Sequence, residues 1–299
     1  MKLVSIDHSG FAAAAVLREG EGGDQLLPVL VAPRDRGDAL PISVRDLLDD
    51  WAYWRPELER RVAASAPGDW IAASSRELLA AVPNPRTFVC IGLNYHDHAE
   101  ETGAEVPVAP IVFAKHPAAV VGPDDEIPLP VESDEVDYEV ELAIVIGRHA
   151  SRVSEAEAMD AVAGFTIVND VSARDWQRRT SQWMTAKSFP GFGPVGPVLV
   201  TAEEFDVDRP HRVHLELNGE TMQDSSTEQL IFGVRELVAH LSSVWPLQPG
   251  DIIATGTPGG VGFTREPAIF LRPGDVVEAS IEGIGTLRNT VVAAATASR

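Results

Sequence analysis

The chain reads as a β-rich α+β fold, with a small N-terminal α/β domain ahead of a larger strand-rich one, and three observations predict it. After Thr87 strand-like runs outnumber helical ones, and the helical ones are short. No region alternates strands with long helices in the manner of a doubly wound sheet. The segment Pro83-Asn84-Pro85 interrupts the chain, because proline cannot continue a helix and restrains the residue before it. That interruption divides residues 1–82 from residues 83–299.

Taken in order, Lys2 to Ile6 and Phe11 to Arg18 are two short strands. Helical patterns follow around Ser43 to Trp51, Glu57 to Ser65 and Ser74 to Ala81. Beyond the interruption, Asp137 to Gly147 (DYEVELAIVIG) alternates and then turns almost wholly apolar, as a strand entering a core does. Ser154 to Ala163 reads as a helix opened by a capping box, Ser154 with Glu157, and closed by Gly164. Phe165 to Asn169 is the next strand. Val213 to Met222 is a hairpin that turns at Asn218-Gly219, a pair suited to the positive φ of a tight turn. Val234, Leu237, Val238 and Leu241 recur at i, i+3, i+4 and i+7, which predicts an amphipathic helix. Asp251 to Thr255 and Val276 to Val292 supply the last strands, with turns at Pro273-Gly274 and Gly283.

Of the 299 residues, 44% are hydrophobic, enough for a packed core and too many for a disordered chain. The formal net charge is −21, from 45 acidic and 24 basic residues. Such a surface repels phosphate backbones and anionic lipid, so nucleic acid and membranes are excluded as partners. An anionic substrate would need a local cluster of cations. The single cysteine, Cys90, forbids an intrachain disulfide and a cysteine-rich metal site. The start MKLVSIDHSG is no signal peptide and no apolar run reaches membrane-spanning length, so a cytoplasmic protein is expected. G-x-S-x-G, H-E-x-x-H and a strand-linked G-x-G-x-x-G are all missing.

Three constellations could carry chemistry. In DYEVE, alternate side chains of a strand share a face, so Glu139 and Glu141 project together with Cβ atoms roughly 7 Å apart. Carboxylates on a strand that enters a core must be solvated, paired or metal-bound. Asp170 follows the strand FTIVN, and three carboxylates without histidine or thiol form a hard oxygen ligand set that suits Mg²⁺ or Mn²⁺. In NYHDHAEE, His98 and Glu101 stand at i, i+3. That pair is either a solvated surface contact or a carboxylate-oriented imidazole ready to act as a base. The third constellation gathers the cations Lys115, Arg174 and Lys187 beside strand or turn boundaries, Gln177 one helical turn after Arg174, and the glycine-rich loop from Thr255 to Gly262. Bare amides of such a loop can bind a carboxylate, although Gly-Thr-Pro-Gly is also an ordinary turn.

These residues lie within segments that closely resemble the fumarylacetoacetate hydrolase family: IGLNYHDHAEE, IVFAKHP, DYEVELAIVIG, GFTIVNDVSARDWQ, AKSF, GPVLV, GDIIATGTPGGVG and RPGDVVEASIEGIGTLRN, in family order over most of residues 85–295. The resemblance implies a β-rich mixed roll, normally a homodimer, with residues 83–299 as its catalytic domain. It implies that Glu139, Glu141 and Asp170 hold one Mg²⁺ or Mn²⁺ per subunit and that His98 and Glu101 activate water on a lid-like segment. Lys187 would meet the reacting end of the substrate, while Arg174, Gln177, Thr257 and Lys115 would contact the rest of a small anionic keto acid. The activity so implied is C–C bond hydrolysis of a 2,4-dioxo acid of acylpyruvate or fumarylpyruvate type. Oxaloacetate decarboxylation and 2-hydroxyhepta-2,4-diene-1,7-dioate isomerisation use the same kind of site, and a non-catalytic metal-stabilised binding protein is the remaining reading.

Overall fold

The structure is a computed structural model that describes residues 1–20, 22–31 and 40–293. The end of the predicted second domain, 294–299, lies outside the described residues, as do 21 and 32–39 of the first. The main element is a 12-stranded sheet. Its path runs Ile71–Ala72, Gln25–Pro28, Phe11–Arg18, Lys2–His8, Gly193–Thr201, Val162–Asn169, Val140–Ile146, Ile252–Ala254, Phe88–Gly92 and Ile111–Lys115. A 5-stranded sheet packs on one face, in the order Glu126–Leu129, Gly285–Ala293, Val276–Ile281, Arg212–Leu217 and Glu220–Ser226. This mostly-sheet α/β architecture is the β-rich fold that the sequence predicts.

Burial on both faces explains the apolar run of Val140–Ile146. Leu142 and Ile144 pack with Val213, Leu215 and the helix Val234–Val244, whereas Ala143 and Val145 pack with Leu47, Leu48 and Trp51 of the N-terminal helices. A strand covered on both sides loses its polar alternation. The N-terminal strands continue the same sheet, since Lys2 pairs with Val200 and Leu3 with Leu199. The Asn218-Gly219 turn takes the positive φ values expected of it, 56° and 79°.

Two predicted helices are not helical over their full length. Ser74 to Ala81 contains only a single 3₁₀ turn, Ala73–Ser75, before the strand Leu78–Leu79 pairs with Ser5 and Ile6. Pairing with the N-terminal strand outweighs the local helical pattern there. The helix predicted over Ser154 to Ala163 stops at Ala158, passes through the turn Met159–Ala161 and becomes the strand Val162–Asn169. Its N-terminus is as predicted, because the Glu157 carboxylate accepts from both the amide and the hydroxyl of Ser154. A third departure is the helix Trp51–Ala64, which starts earlier than predicted and contains Pro56.

Gly164 is therefore no helix terminator. It lies in mid-strand, where a Cβ would fall 2.1 Å from the carbonyl oxygen of Val200. Backbone cannot retreat from that approach without breaking the pairing of Val162–Asn169 with Gly193–Thr201. Gly164→Ala is expected to destabilise the fold by on the order of 3 kcal/mol through overpacking. Thermal unfolding checks this, and an unchanged Tm would mean that the two strands can separate freely.

Candidate active site

Antiparallel register assembles the carboxylates. Val140 pairs with Asn169, and the ladder runs one step beyond both strands, where the Asp170 amide donates to the Glu139 carbonyl at 2.8 Å. The Glu139 amide in turn donates to Asn169 Oδ1 at 3.0 Å. Glu139 thus falls just outside the strand Val140–Ile146, because the run predicted from Asp137 divides. Val136–Asp137 pairs separately with Ser172–Ala173. One carboxylate oxygen from each of Glu139, Glu141 and Asp170 lies within 4.8 Å of the others, and all three residues are buried.

The predicted cations converge on the same point from three directions. Lys187 Nζ donates to Glu139 Oε2 at 2.8 Å and to Asp170 Oδ2 at 2.7 Å. Lys115, at the end of the strand Ile111–Lys115, donates to Asp170 Oδ1 at 2.5 Å and to the Val171 carbonyl at 3.0 Å. Arg174 Nη1 lies 2.6 Å from Glu139 Oε1 and donates to Gln177 Oε1 at 2.9 Å. Burial opposes ionisation of Glu139, but the charges of Lys187 and Arg174 outweigh it and hold the carboxyl down at about 2. Glu141 is the contrasting case. Burial, together with the charges of Asp170 and Glu139, pushes it well above the usual carboxylate range, and its one hydrogen-bond partner among the described residues is the Gly256 amide at 2.8 Å.

That imbalance is the structural test of whether a metal fits. Three hard oxygen donors converge, and one of them, buried Glu141, makes no ion pair among the described residues. A divalent ion such as Mg²⁺ or Mn²⁺ suits both the donor chemistry and the charge.

The dyad is formed. His98 and Glu101 lie on the helix His96–Thr102, with His98 Nδ1 3.2 Å from Glu101 Oε2. Glu101 Oε1 accepts from the Gly260 amide at 2.9 Å and from the Thr264 hydroxyl at 2.6 Å. Thr257 is buried, and its hydroxyl donates to the Val140 carbonyl at 3.0 Å while accepting from Gln223 Nε2 at 2.8 Å. All ten predicted residues therefore join one connected region, in which the polar atoms of Thr257, Lys115 and Lys187 are bonded to protein.

Four supporting residues escape the sequence reading. Asn94 Nδ2 donates to the carbonyls of Phe232 and Thr255 and anchors the segment ahead of the dyad. Asp97 accepts from the Ser225 hydroxyl and the Gly259 amide. Gln223 spans from the Val140 amide to Thr257 and Pro258. Asp137 is wholly buried beside Arg174. Asp137, the first letter of DYEVE, carried a signal: an acid at the mouth of an apolar strand. Gln223 carried none. A cleft of about 610 Å³ between Trp51, Gly147 and Met159 contains none of the predicted site residues.

Residues 87–292 match the family described as Fumarylacetoacetate (FAA) hydrolase C-terminal. A mitochondrial oxaloacetate tautomerase of Bos taurus is 44% identical over 257 residues, which cover 85% of this chain and 81% of that protein. Among solved structures, a 2-hydroxyhepta-2,4-diene-1,7-dioate isomerase from Mycobacterium marinum superposes with a TM-score of 0.76 at 34% identity, covering 99% of this chain and 100% of that one. The maleylpyruvate hydrolase of Sphingobium sp. SYK-6, in complex with manganese(II) and pyruvate, superposes with a TM-score of 0.78 at 28% identity, covering 99% and 100%. This chain belongs to the fumarylacetoacetate hydrolase family. It is an enzyme of that family, and no helix among its described residues is long and apolar enough to cross a membrane.

Proposed function

We propose that this enzyme interconverts the enol and keto forms of oxaloacetate, a small anionic keto acid. One observation carries the reading: a carboxylate trio with an uncompensated member lies beside a carboxylate-oriented imidazole and a ring of three cations. The likeness to the Bos taurus oxaloacetate tautomerase over 85% of the chain supports it. Glu139, Glu141 and Asp170 would hold one Mg²⁺ or Mn²⁺ per subunit. Bound there, the ion supplies Lewis-acid stabilisation of enolate charge.

The protein's own groups do the rest. Arg174 Nη2 lies 2.9 Å from Asp137 Oδ2 and makes no directed hydrogen bond among the described residues, which leaves it a donor for a substrate carboxylate together with Gln177. Lys187 stabilises negative charge developing on the substrate oxygen. His98 moves the proton: in ketonisation the enol oxygen gives one up and C3 gains one, with Glu101 holding the imidazole in orientation. Lys115 fixes Asp170, and Thr257 fixes the loop from Thr255 to Gly262 against Val140.

A second reading is C–C hydrolysis of a 2,4-dioxo acid, in which His98 deprotonates the attacking water. The intact His98–Glu101 pair and the likeness to maleylpyruvate hydrolase favour it. Absorbance assays with Mn²⁺ separate the two. Enol-oxaloacetate should decay well above the buffer rate and lose that acceleration with chelator, while acylpyruvates should be cleaved slowly. Cleavage without tautomerisation would favour the second reading, and neither activity would refute both.

We propose further that residues 1–82 form a separate small domain, although its strands extend the main sheet. Homodimerisation, implied by the family resemblance, is supported by the exposed apolar residues Val106, Val108, Ile111 and Val112. A cytoplasmic location remains part of the proposal, while the Bos taurus relative is mitochondrial.

A further inference from the structure

Asp137 is the residue at which the two halves of the site meet. The ribbon of Val136–Asp137 with Ser172–Ala173 sets its carboxylate beside Arg174, whose amide is tied to the Glu135 carbonyl at 2.8 Å. Wholly buried, that carboxylate accepts hydrogen bonds on both oxygens. Oδ1 takes the amides of Tyr138 and Gly262, each at 2.8 Å. Oδ2 takes Arg174 Nε at 2.9 Å and the Phe263 amide at 3.1 Å. The Phe263 ring then lies under the guanidinium, 4.4 Å from centroid to Cζ. Gly262 permits this approach, since a Cβ there would fall 2.5 Å from Asp137 Oδ1.

The loop that Asp137 grips also carries the dyad. Gly259 holds Asp97, and Gly260 and Thr264 hold Glu101. We infer that Asp137 is a positioning residue that sets Arg174 for the substrate carboxylate and, through residues 259–264, sets the His98–Glu101 helix over the reacting carbon. Neither effect requires it to touch substrate. A buried charge that accepts four directed hydrogen bonds is costly to misplace, so the geometry is held stiffly.

This rests on the proposed keto-acid site, and the test uses two readouts that fail separately. In the Mn²⁺-loaded enzyme, Asp137→Asn keeps the shape and loses the charge that aims Arg174. Its pyruvate Kd, by calorimetry, is expected to rise about tenfold. For the preferred substrate KM should rise and kcat should also fall, whereas a partly unfolded population would lower kcat alone. In the metal-free protein, hydrogen exchange of peptides covering residues 259–264 and 96–102 should accelerate together. Should Asp137→Asn fail to fold, the Asp137→Asn/Arg174→Gln pair removes both charges and leaves neither uncompensated. That pair should then bind pyruvate no worse than Arg174→Gln alone. An unchanged pyruvate Kd and KM in folded Asp137→Asn would overturn the Arg174 half, as would further weakening in the pair. Exchange confined to the loop would overturn the dyad half. A wild-type enzyme that binds no pyruvate would instead count against the keto-acid reading and leave the exchange result to decide this one.

Discussion

Glu141→Gln is expected to weaken Mn²⁺ binding by at least about tenfold, because it removes an anionic donor from a three-carboxylate set. Keto-acid turnover should disappear with it. The metal-free protein should respond differently. Burial and two neighbouring carboxylates keep a proton on Glu141 above the pH at which the unfolded chain releases it. Wild-type stability without metal should therefore decline as pH rises from the ordinary carboxylate range towards that raised value. Glutamine cannot ionise, so this share of the decline should vanish in the variant. Calorimetry and thermal unfolding with and without Mn²⁺ check both halves, and an unaltered Mn²⁺ isotherm would remove Glu141 from the ligand set.

His98→Ala is expected to cut proton transfer by about 10²-fold or more, the usual scale of general acid–base catalysis. Mn²⁺ affinity should persist, since His98 lies on a separate helix from the three carboxylates. Glu101→Gln should reproduce part of the loss, because it weakens the contact that orients the ring, 3.2 Å from Nδ1. Undiminished turnover in His98→Ala would assign the proton to another group. A parallel loss of Mn²⁺ binding would show that the helix supports the metal site as well.

Local spacing made the candidate site legible. The E-x-E of a strand and the i, i+3 of a helix each place two side chains together without knowledge of distant contacts. The targets of the cations were not legible. Lys115, Arg174 and Lys187 meet Asp170 and Glu139 only through sheet register and loop closure. The same distinction explains the fold errors. The residues from Ser74 and from Ser154 have helical character taken alone, yet strand partners far along the chain take over Leu78–Leu79 and Val162–Asn169. Gly164 looked like a helix terminator because its real constraint, the Val200 carbonyl, lies on another strand. Asp137 went unremarked beside the two glutamates, since nothing nearby in sequence foretells Gly262 and Phe263 as its donors.

The ion pairs at the centre also dictate an order of events. Four buried carboxylates, Asp137, Glu139, Glu141 and Asp170, face three buried cations, Lys115, Arg174 and Lys187. With Glu141 protonated the metal-free cluster is neutral, with Glu141 ionised it is one negative charge out of balance, and a dication that displaces that proton leaves a surplus of one. A doubly charged keto acid would thus meet no net attraction in the cluster until an ion is seated, and attraction afterwards, within a chain whose net charge is −21. Metal first and substrate second is the sequence that this arithmetic favours, so an ion held there would act as the site's electrostatic gate.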